Sequence, residues 1–395
     1  MKNLLFCLLL VIVFSGNAQT TAPQRGEGSL YTISTQNLRM AVDTANGARI
    51  SSFQVSESEL LYVDFSNNNM AGSTFWPSPQ SVWNWPPLVN LDSKPYQADI
   101  KGNRLIVAGN TDSKTNLRFY KIFQGNAADT SIVIDYVMKN EKSTSQKWAP
   151  WEVTRVAGNG VTLYEKGDVA PTGILEPFTE EIDGMIWYDQ DKNKITQSGT
   201  FKFIGDGKGW IAHVVGGKYL LLKQFENIAQ ADAAPSEGEI EVYTARNSTY
   251  TEVENQGAYV SIASKDSVTW RVKWYARQLP ANVDAKVGSA SLVNYIHGIL
   301  SRSVSPVSYN TIEKEKVKVY PNPANDFLMI DFNGVELCDA RMAVYSMQGS
   351  KVIDQPISQS RKPVSVGNLT KGVYLYEILQ GRSAVANGRF VIERQ

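Results

Sequence analysis

The stretch TSIVIDYV, residues 130–137, decides the fold class of this chain. Ile132, Ile134 and Tyr136 fall on one face of an extended strand, and the residues between them fall on the other face. The same alternation, rich in β-branched and aromatic residues, recurs at 117–123, 238–243 and 267–275. Turns rich in Gly, Asn and Asp separate these runs, so the sequence predicts an all-β protein built as a large antiparallel sandwich or barrel.

Two later segments lack this alternation. Leu292, Ile296 and Ile299 fall at helical spacing, which predicts a closing helix over 289–301. Residues 302–316 are rich in Ser, Pro, Asn and charge and have no clean period, which is typical of a linker. The sequence therefore predicts a signal peptide at 1–18, a β-sandwich domain at 27–301, a linker at 302–316 and a second domain at 317–395.

The first residues predict a cleaved secretory signal peptide. Lys2 precedes an uncharged apolar run at 4–14, and small residues follow, with the expected cut after Ala18. The apolar run is shorter than the roughly 20 residues that a membrane-spanning helix needs. We therefore expect a mature chain without an integral membrane segment, located outside the cell or on its outer surface.

Composition narrows the classes of partner and site. The 39 basic and 39 acidic residues are evenly spread, which argues against a nucleic-acid partner. Of the two cysteines, Cys7 lies in the signal segment and Cys338 is left alone, so no intramolecular disulfide is expected. With two histidines and no cysteine cluster, we expect no metal site and no cofactor.

Three sequence blocks identify the C-terminal domain: VYPNPA at 319–324, VYSMQG at 344–349 and LTKGVY at 369–374. In this order they resemble the type A C-terminal sorting domain of type IX secretion cargo. The resemblance implies a small Ig-like β-sandwich, with the type IX translocon and its sorting peptidase as partners. Strands and turns alone would also suit an ordinary binding module. The motif residues are Pro321, Asn322, Pro323, Gly349, Gly372 and Tyr374.

In the first domain, segment 75–87 holds three tryptophans and four prolines. We predict a stiff aromatic loop, because each proline restricts the backbone and lowers the entropy cost of ordering. Such a loop either forms one wall of a sugar-binding cleft or caps the end of the sandwich with buried rings. The candidate ligand-binding residues in it are Trp76, Gln80, Trp83 and Trp85.

A second cluster lies at 148–155, and a third at 250–257. If the chain is extended there, Trp151 and Arg155 share one face. In one interpretation both side chains line the cleft, and in the other Arg155 pairs with a structural carboxylate. Glu252 and Glu254 also share a face. They form either an acid–base pair with one raised pKa or an ordinary pair of exposed carboxylates.

Segments 47–53, 75–87, 151–155, 254–256 and 270–280 together resemble a galactose mutarotase-like domain of an uncharacterised bacterial branch. The resemblance implies a large antiparallel supersandwich with a carbohydrate cleft on its concave face. It also implies that Glu254, within Glu-Asn-Gln, is the candidate catalytic base. The histidine that serves as the acid in aldose 1-epimerases has no counterpart here, because Trp, Glu and Arg occupy the 150–155 region.

The sequence therefore predicts an exported carbohydrate-binding protein whose saccharide ligand contacts Trp76, Gln80, Trp83, Trp85, Trp151, Arg155 and Glu254. A sugar-active enzyme using Glu254, either epimerase-like or polysaccharide-modifying, is one alternative. A structural surface protein without a ligand is the other.

Overall fold

The structure is a computed structural model, and it describes residues 22–66, 70–174, 177–189, 201–244, 249–303, 318–331, 340–346, 351–357, 363–380 and 383–393. The predicted signal peptide and most of the predicted linker lie outside these residues. The chain divides into two compact units, residues 1–300 and 301–395, which are described separately.

Unit 1 is built from strands β1 to β22 and two short helices. In chain order the strands are β1 Gln24–Arg25, β2 Leu30–Thr35, β3 Leu38–Asp43, β4 Arg49–Val55, β5 Ser58–Glu59, β6 Ser73–Ser78, β7 Gln97–Lys101, β8 Arg104–Ala108, β9 Leu117–Asn126, β10 Ser131–Asn140, β11 Gln146–Ala157, β12 Gly160–Glu165, β13 Thr172–Gly173, β14 Thr179–Ile182, β15 Met185–Asp189, β16 Phe201–Gly205, β17 Trp210–Val215, β18 Tyr219–Phe225, β19 Ile240–Thr244, β20 Tyr250–Gln256, β21 Val260–Ile262 and β22 Ser267–Gln278. The helices are α1 Val89–Asp92 and α2 Ala290–Ser303, and 3-10 turns lie at Gln80–Val82 and Gln230–Asp232.

These strands form two large antiparallel sheets. The first sheet runs β1-β2-β3-β4-β6-β11-β20-β19-β16-β13, with β5 and β21 attached at its side, and the second runs β14-β15-β12-β17-β18-β22-β10-β9-β8-β7. One hydrophobic core contains side chains from both sheets, so the sheets pack face to face. The all-β prediction is confirmed, as a sandwich.

The alternation at 130–137 explains how β10 sits in this sandwich. Ile132, Ile134 and Tyr136 are buried in the core, whereas Val133 and Asp135 are only partly buried. A strand at the centre of the first sheet behaves differently. All six residues of β6 are buried, so its two faces are both covered.

Segment 75–87 is only partly the loop that the sequence predicts. Residues 75–78 belong to β6, and Trp76 and Pro77 pair with Trp151 and Pro150 of β11. The chain leaves the sheet after Ser78. Pro77 is tolerated inside the sheet because its register partner is also a proline, and neither residue has an N–H to leave unpaired.

The predicted closing helix is present as α2. Leu292, Ile296 and Ile299 are buried against side chains of the second sheet, including Trp187 and Trp210, in a separate hydrophobic cluster. This helix therefore covers the side of the second sheet that faces away from the first sheet.

Unit 2 is a smaller sandwich of two sheets. Its strands are β23 Lys318–Tyr320, β24 Phe327–Asp331, β25 Ala340–Ser346, β26 Lys351–Pro356, β27 Pro363–Ser365, β28 Gly372–Gln380 and β29 Ser383–Ile392. One sheet runs β23-β24-β27 and the other β26-β25-β28-β29, around a core of their buried side chains.

Candidate functional site

Strand register gathers most of the predicted site residues on one face of the first sheet. Glu152 on β11 bonds to Tyr136 and Trp274 of the second sheet, so its side chain points between the sheets. Trp151 and Arg155 therefore point away from the second sheet, to what we call the outer face. Register partners on β6, β20, β19 and β16 share that face: Trp76, Thr74, Gln256, Glu254, Glu252, Glu241, Tyr243, Lys202 and Ile204.

Trp76 is the centre of an aromatic cluster on the outer face. Its ring centroid lies 5.3 Å from that of Trp151, 5.9 Å from Trp83 and 6.2 Å from Trp85, each in an edge-to-face arrangement. The Trp76 indole donates to Asp92 Oδ1 at 2.8 Å, which fixes the ring. Three of these rings are at most 4% exposed, whereas Trp85 is 58% exposed. The cluster thus consists of three buried rings and one accessible ring, that of Trp85.

An ionic cluster adjoins these rings. Trp151 Nε1 donates to Glu254 Oε2 at 2.8 Å, and Arg155 Nη2 lies 2.8 Å from Glu252 Oε1. The Arg155 guanidinium carbon also sits 5.6 Å from the Trp76 ring centroid, a cation–π distance. Arg155 is fully buried, so pairing with Glu252 compensates its charge. This contact agrees with the interpretation in which Arg155 pairs with a carboxylate.

Glu254 and Glu241 face each other across strands β20 and β19, with Lys202 beside them. Lys202 Nζ forms an ion pair with Glu241, and Gln256 Nε2 donates to Glu241 Oε1 at 2.9 Å. Burial raises the pKa of Glu254 to about 7, even though Lys202 acts in the opposite direction. Burial likewise raises the pKa of Glu241 well above its ordinary value. Burial alone would lower the pKa of Lys202, but Glu254 and Glu241 outweigh it and raise that pKa.

A cavity of about 350 Å³ opens beside this cluster. Its lining residues are Gln80, Ser81, Asn84, Trp85, Lys202, Ile204, Ser236 and Glu237. The Glu237 carboxylate accepts the backbone N–H of Gln80 at 3.1 Å, which ties two parts of this lining together.

A second cavity, of about 510 Å³, shares Ile204, Ser236 and Glu237 with the first. Its other lining residues are Val169, Ala170, Thr172, Asp206, Gln230, Ala233, Ala234 and Pro235. The two cavities therefore adjoin at these residues, and we call the two together the groove.

The predicted ligand-binding residues fall into two groups. Gln80 and Trp85 line the first cavity. Trp76, Trp83, Trp151, Arg155 and Glu254 are buried in the adjoining cluster and line neither cavity. All seven belong to one connected region, but only the first group can contact a ligand without rearrangement. Their role in binding stays a prediction.

The sequence prediction missed Lys202, Glu237 and Glu241. Glu241 carries a usable signal, because it lies between Ile240 and Val242 in a predicted strand. A charge at that position suits an exposed face equally well, so the strand pattern does not reveal its burial. Lys202 is the second residue of β16, a strand that reaches the site only through pairing with β19, which local sequence does not show.

Neither histidine lies on the outer face. His213 is on β17 of the second sheet, where its Nδ1 shares a hydrogen bond with Thr162 Oγ1 at 2.9 Å. Burial lowers the pKa of His213 to about 3. His297 is on α2, 3.7 Å from Glu165. Glu254 therefore has no histidine partner on its own face.

On the opposite side of the first sheet, Glu152 of β11 forms a buried ion pair with Lys223 of β18 in the second sheet. Glu152 accepts from Tyr136 Oη at 2.5 Å and from Trp274 Nε1 at 3.1 Å, and Lys223 Nζ lies 3.3 Å from its second oxygen. Lys223 also donates to Val253 O at 2.7 Å. Both charged residues are at most 1% exposed, so we interpret this pair as structural.

In unit 2, Asn322 and Tyr374 of the sorting motif form hydrogen bonds near the ends of strands. Asn322 Oδ1 accepts the backbone N–H of Val391 at 3.0 Å, in the turn that also contains Pro321 and Pro323. Tyr374 donates to Thr370 O at 2.9 Å and its ring stacks on Phe390 at 5.7 Å. Gly372 begins β28, and Gly349 lies outside the described residues.

Residues 318–393 match the family described as the secretion system C-terminal sorting domain. This match confirms the sorting domain that the three sequence blocks predict. No curated protein matches the chain in sequence.

Solved structures of galactose mutarotase-like proteins are similar to this chain. One from Lactobacillus casei is 9% identical, with 63% of this chain and 100% of that chain covered and a TM-score of 0.46. A galactose mutarotase related enzyme from Lactobacillus acidophilus is 6% identical, with 65% and 100% covered and a TM-score of 0.46. A protein from Synechocystis is 12% identical, with 67% and 100% covered and a TM-score of 0.46. These similarities assign no activity to this chain.

Within the described part of the chain, no helix is long and apolar enough to cross a membrane. Within the same residues, no group of three or more His, Cys, Asp or Glu side chains is arranged to hold a metal ion.

Proposed function

We propose that this protein is exported through the type IX secretion system and binds a saccharide at the groove on the outer face of unit 1. The signal peptide predicted at 1–18 and the sorting domain at 318–393 support export. The partners in export are the type IX translocon and its sorting peptidase. The destination is the extracellular space or the outer cell surface.

The observation that carries saccharide binding is the exposed ring of Trp85 at the first cavity. Tryptophan is highly buried on average, so a ring that is 58% exposed beside a cavity leaves a large face free for a ligand. The π face of an indole is negative. It attracts the weakly positive C–H groups that cover one face of a pyranose ring.

The polar lining supports the same class of ligand. Gln80, Asn84 and the two serines of the first cavity offer both donors and acceptors. A sugar ring presents hydroxyl groups around its edge, and each of them needs both kinds of partner once it leaves water. An aromatic platform with amides and hydroxyls beside it meets both requirements of a neutral saccharide.

The buried tryptophans support the site rather than contact the ligand. Trp76 packs against Trp85, and Trp83 donates to Pro77 O at 2.7 Å. We expect Trp85→Ala to weaken binding by ~1–3 kcal/mol, a typical loss for an aromatic contact residue. Trp76→Ala and Trp83→Ala would instead lower stability by ~3–5 kcal/mol, because each leaves a large cavity in a packed region.

A glycan array followed by titration calorimetry tests saccharide binding. The matched control is Phe65→Ala, which removes an aromatic ring that is 38% exposed and lines neither cavity. We expect Trp85→Ala to weaken binding of the best glycan and Phe65→Ala to leave it unchanged. Equal affinity in Trp85→Ala and the wild type would move the site elsewhere. An array without any bound glycan would favour a structural surface protein.

A sugar-active enzyme using Glu254 is the second candidate. The observation in its favour is the pKa of Glu254, which burial raises to about 7, close to the ideal for a general base at neutral pH. Against it, the Glu254 carboxylate is 1% exposed and bonded to Trp151, and neither cavity reaches it. Direct attack on a ligand would first require Lys202 or Trp151 to move.

Mass spectrometry of cell fractions tests export. We expect a surface or released form that begins near Gln19 and lacks most of residues 317–395. A full-length protein confined to the cytoplasm would contradict this part of the proposal.

A further inference from the structure

We infer that the ligand is an oligosaccharide whose additional rings occupy the second cavity, so that the groove contains at least two subsites. This inference rests on the proposed saccharide function and extends it from one sugar ring to a chain of rings.

The two cavities of the groove lie side by side. The cavities of about 350 and 510 Å³ share Ile204, Ser236 and Glu237, so a ligand that extends beyond the first cavity at these residues meets the second. Small-ligand sites usually measure ~300–1,000 Å³. Each cavity alone falls in that range, and a single sugar ring against Trp85 would leave the larger cavity empty.

The second cavity is lined by both polar and apolar side chains. Thr172, Gln230 and Ser236 contribute hydroxyl and amide groups, and Val169, which is 44% exposed, contributes an apolar surface. This mixture resembles the lining of the first cavity, except that an aliphatic side chain replaces the tryptophan. Neighbouring sites with the same mixture of groups suit a ligand made of repeated similar units.

Hydrogen bonds hold both walls of the second cavity in place. Asp206 accepts the backbone N–H groups of Asp168 at 2.6 Å and Val169 at 2.9 Å, which fixes one wall. On the other wall, Gln230 Nε2 donates to Glu237 O at 3.1 Å, and the backbone N–H of Tyr259 donates to Asp232 O at 2.8 Å. A groove whose walls are already held costs little entropy to order around a ligand.

The floor joins the two walls through sheet pairing. Thr172 on β13 is the register partner of Ile204 on β16, and both line the second cavity. Gly173 has a φ of +104°, and a Cβ there would come within 2.5 Å of Lys202 O. A glycine therefore permits β13 to lie this close to β16, beside Lys202, which lines the first cavity.

The test uses titration calorimetry with the full-length protein to measure affinity for a series of glycans of increasing length. The series is built from the best glycan of the array and starts at its single ring. We expect affinity to rise by about tenfold or more between the single ring and the longer members, a change of ~1.4 kcal/mol. A double variant, Ala170→Leu with Ala233→Leu, fills the second cavity and should abolish the gain while leaving single-ring affinity unchanged.

Ala281→Leu is the matched control, because Ala281 is exposed and lines neither cavity. It should keep the full gain with length, and thermal midpoints verify that every variant is folded. Equal affinity for one ring and for longer chains would overturn the inference while saccharide binding stands. A gain that survives in the double variant would also overturn it. No response to any glycan would end both proposals.

Discussion

Strand β11 carries a network of buried charge on each side, and the two networks differ in balance. Between the sheets, one carboxylate, Glu152, meets one cation, Lys223, and Tyr136 and Trp274 donate to the same carboxylate. The outer face holds an excess of carboxylates over cations. Its members are Glu241, Glu252 and Glu254 with Arg155 and Lys202.

The pair between the sheets is a structural ion pair, whereas the outer face contains carboxyl groups whose pKa values are raised. In the balanced pair, each buried charge is compensated by the other. On the outer face, burial raises the pKa of Glu254 to about 7, and the neighbouring Glu252 acts in the same direction. Lys202 is the member through which this network meets the groove, because it lines the first cavity.

The largest expected effect is the loss of the inner cation. Lys223→Met leaves Glu152 buried without a counter-charge and should lower the free energy of unfolding by ~3–5 kcal/mol. Lys202→Met is the matched outer-face variant. It should cost less, ~1–3 kcal/mol, because its side chain is 31% exposed and the carboxylates it leaves can take up protons.

Urea unfolding followed by tryptophan fluorescence measures both variants. All nine tryptophans lie before residue 301, so the signal reports unit 1 alone. Equal losses in the two variants would remove the distinction between the networks.

A smaller effect is expected in the pH dependence of stability. The folded-state pKa of Glu254, about 7, lies above its ordinary value of 4.5, so the folded chain binds the extra proton between these values. The stabilisation is complete below pH 4.5 and is lost as the pH rises through 7, at ~1.4 kcal/mol per pKa unit. Glu254→Gln should flatten this fall. Glu241 keeps part of it, because its pKa is also raised.

Unfolding free energies at a series of pH values between 4.5 and 7 test this expectation, with Glu57→Gln, an exposed carboxyl, as the control. Parallel profiles for the wild type and Glu254→Gln would show that Glu254 is ionised throughout.

A still smaller effect, close to zero, is expected for mutarotation. The reaction needs a base at the anomeric hydroxyl and an acid at the ring oxygen, each worth roughly 10²–10⁴-fold. Glu254 can serve as the base, but arginine is not a residue type that supplies a catalytic proton, and both histidines lie on other elements. Polarimetry with fresh α-glucose or α-galactose should show the spontaneous rate. A faster rate that Glu254→Gln abolishes would mean that another side chain supplies the acid.

The smallest effect should follow removal of unit 2. Residues 302–316 have no periodic apolar face, and the two units have separate cores. A chain of residues 19–301 should keep the fluorescence-detected unfolding midpoint of the full chain. A molten or aggregated product would show that the units depend on each other for folding.

The sequence by itself determined the strands and the direction of their side chains. Alternation at 130–137 and 151–155 predicts which residues share a face, because side chains in an extended chain change sides at every residue wherever that chain lies. The three blocks of the sorting domain were equally decisive, and its family match confirms them. Helical spacing at 292–299 likewise predicted α2.

Only the tertiary structure decided which faces are covered and which residues meet. Trp76 and Trp83 are buried while Trp85 is exposed, although all three belong to one aromatic segment. Glu254 acquires Glu241 and Lys202 as neighbours through pairing of β20 with β19 and of β19 with β16. Burial and charge environment are sums over neighbours that are distant in sequence. A local pattern therefore predicts where a side chain points, and only the assembled sheet decides its pKa and its access to a ligand.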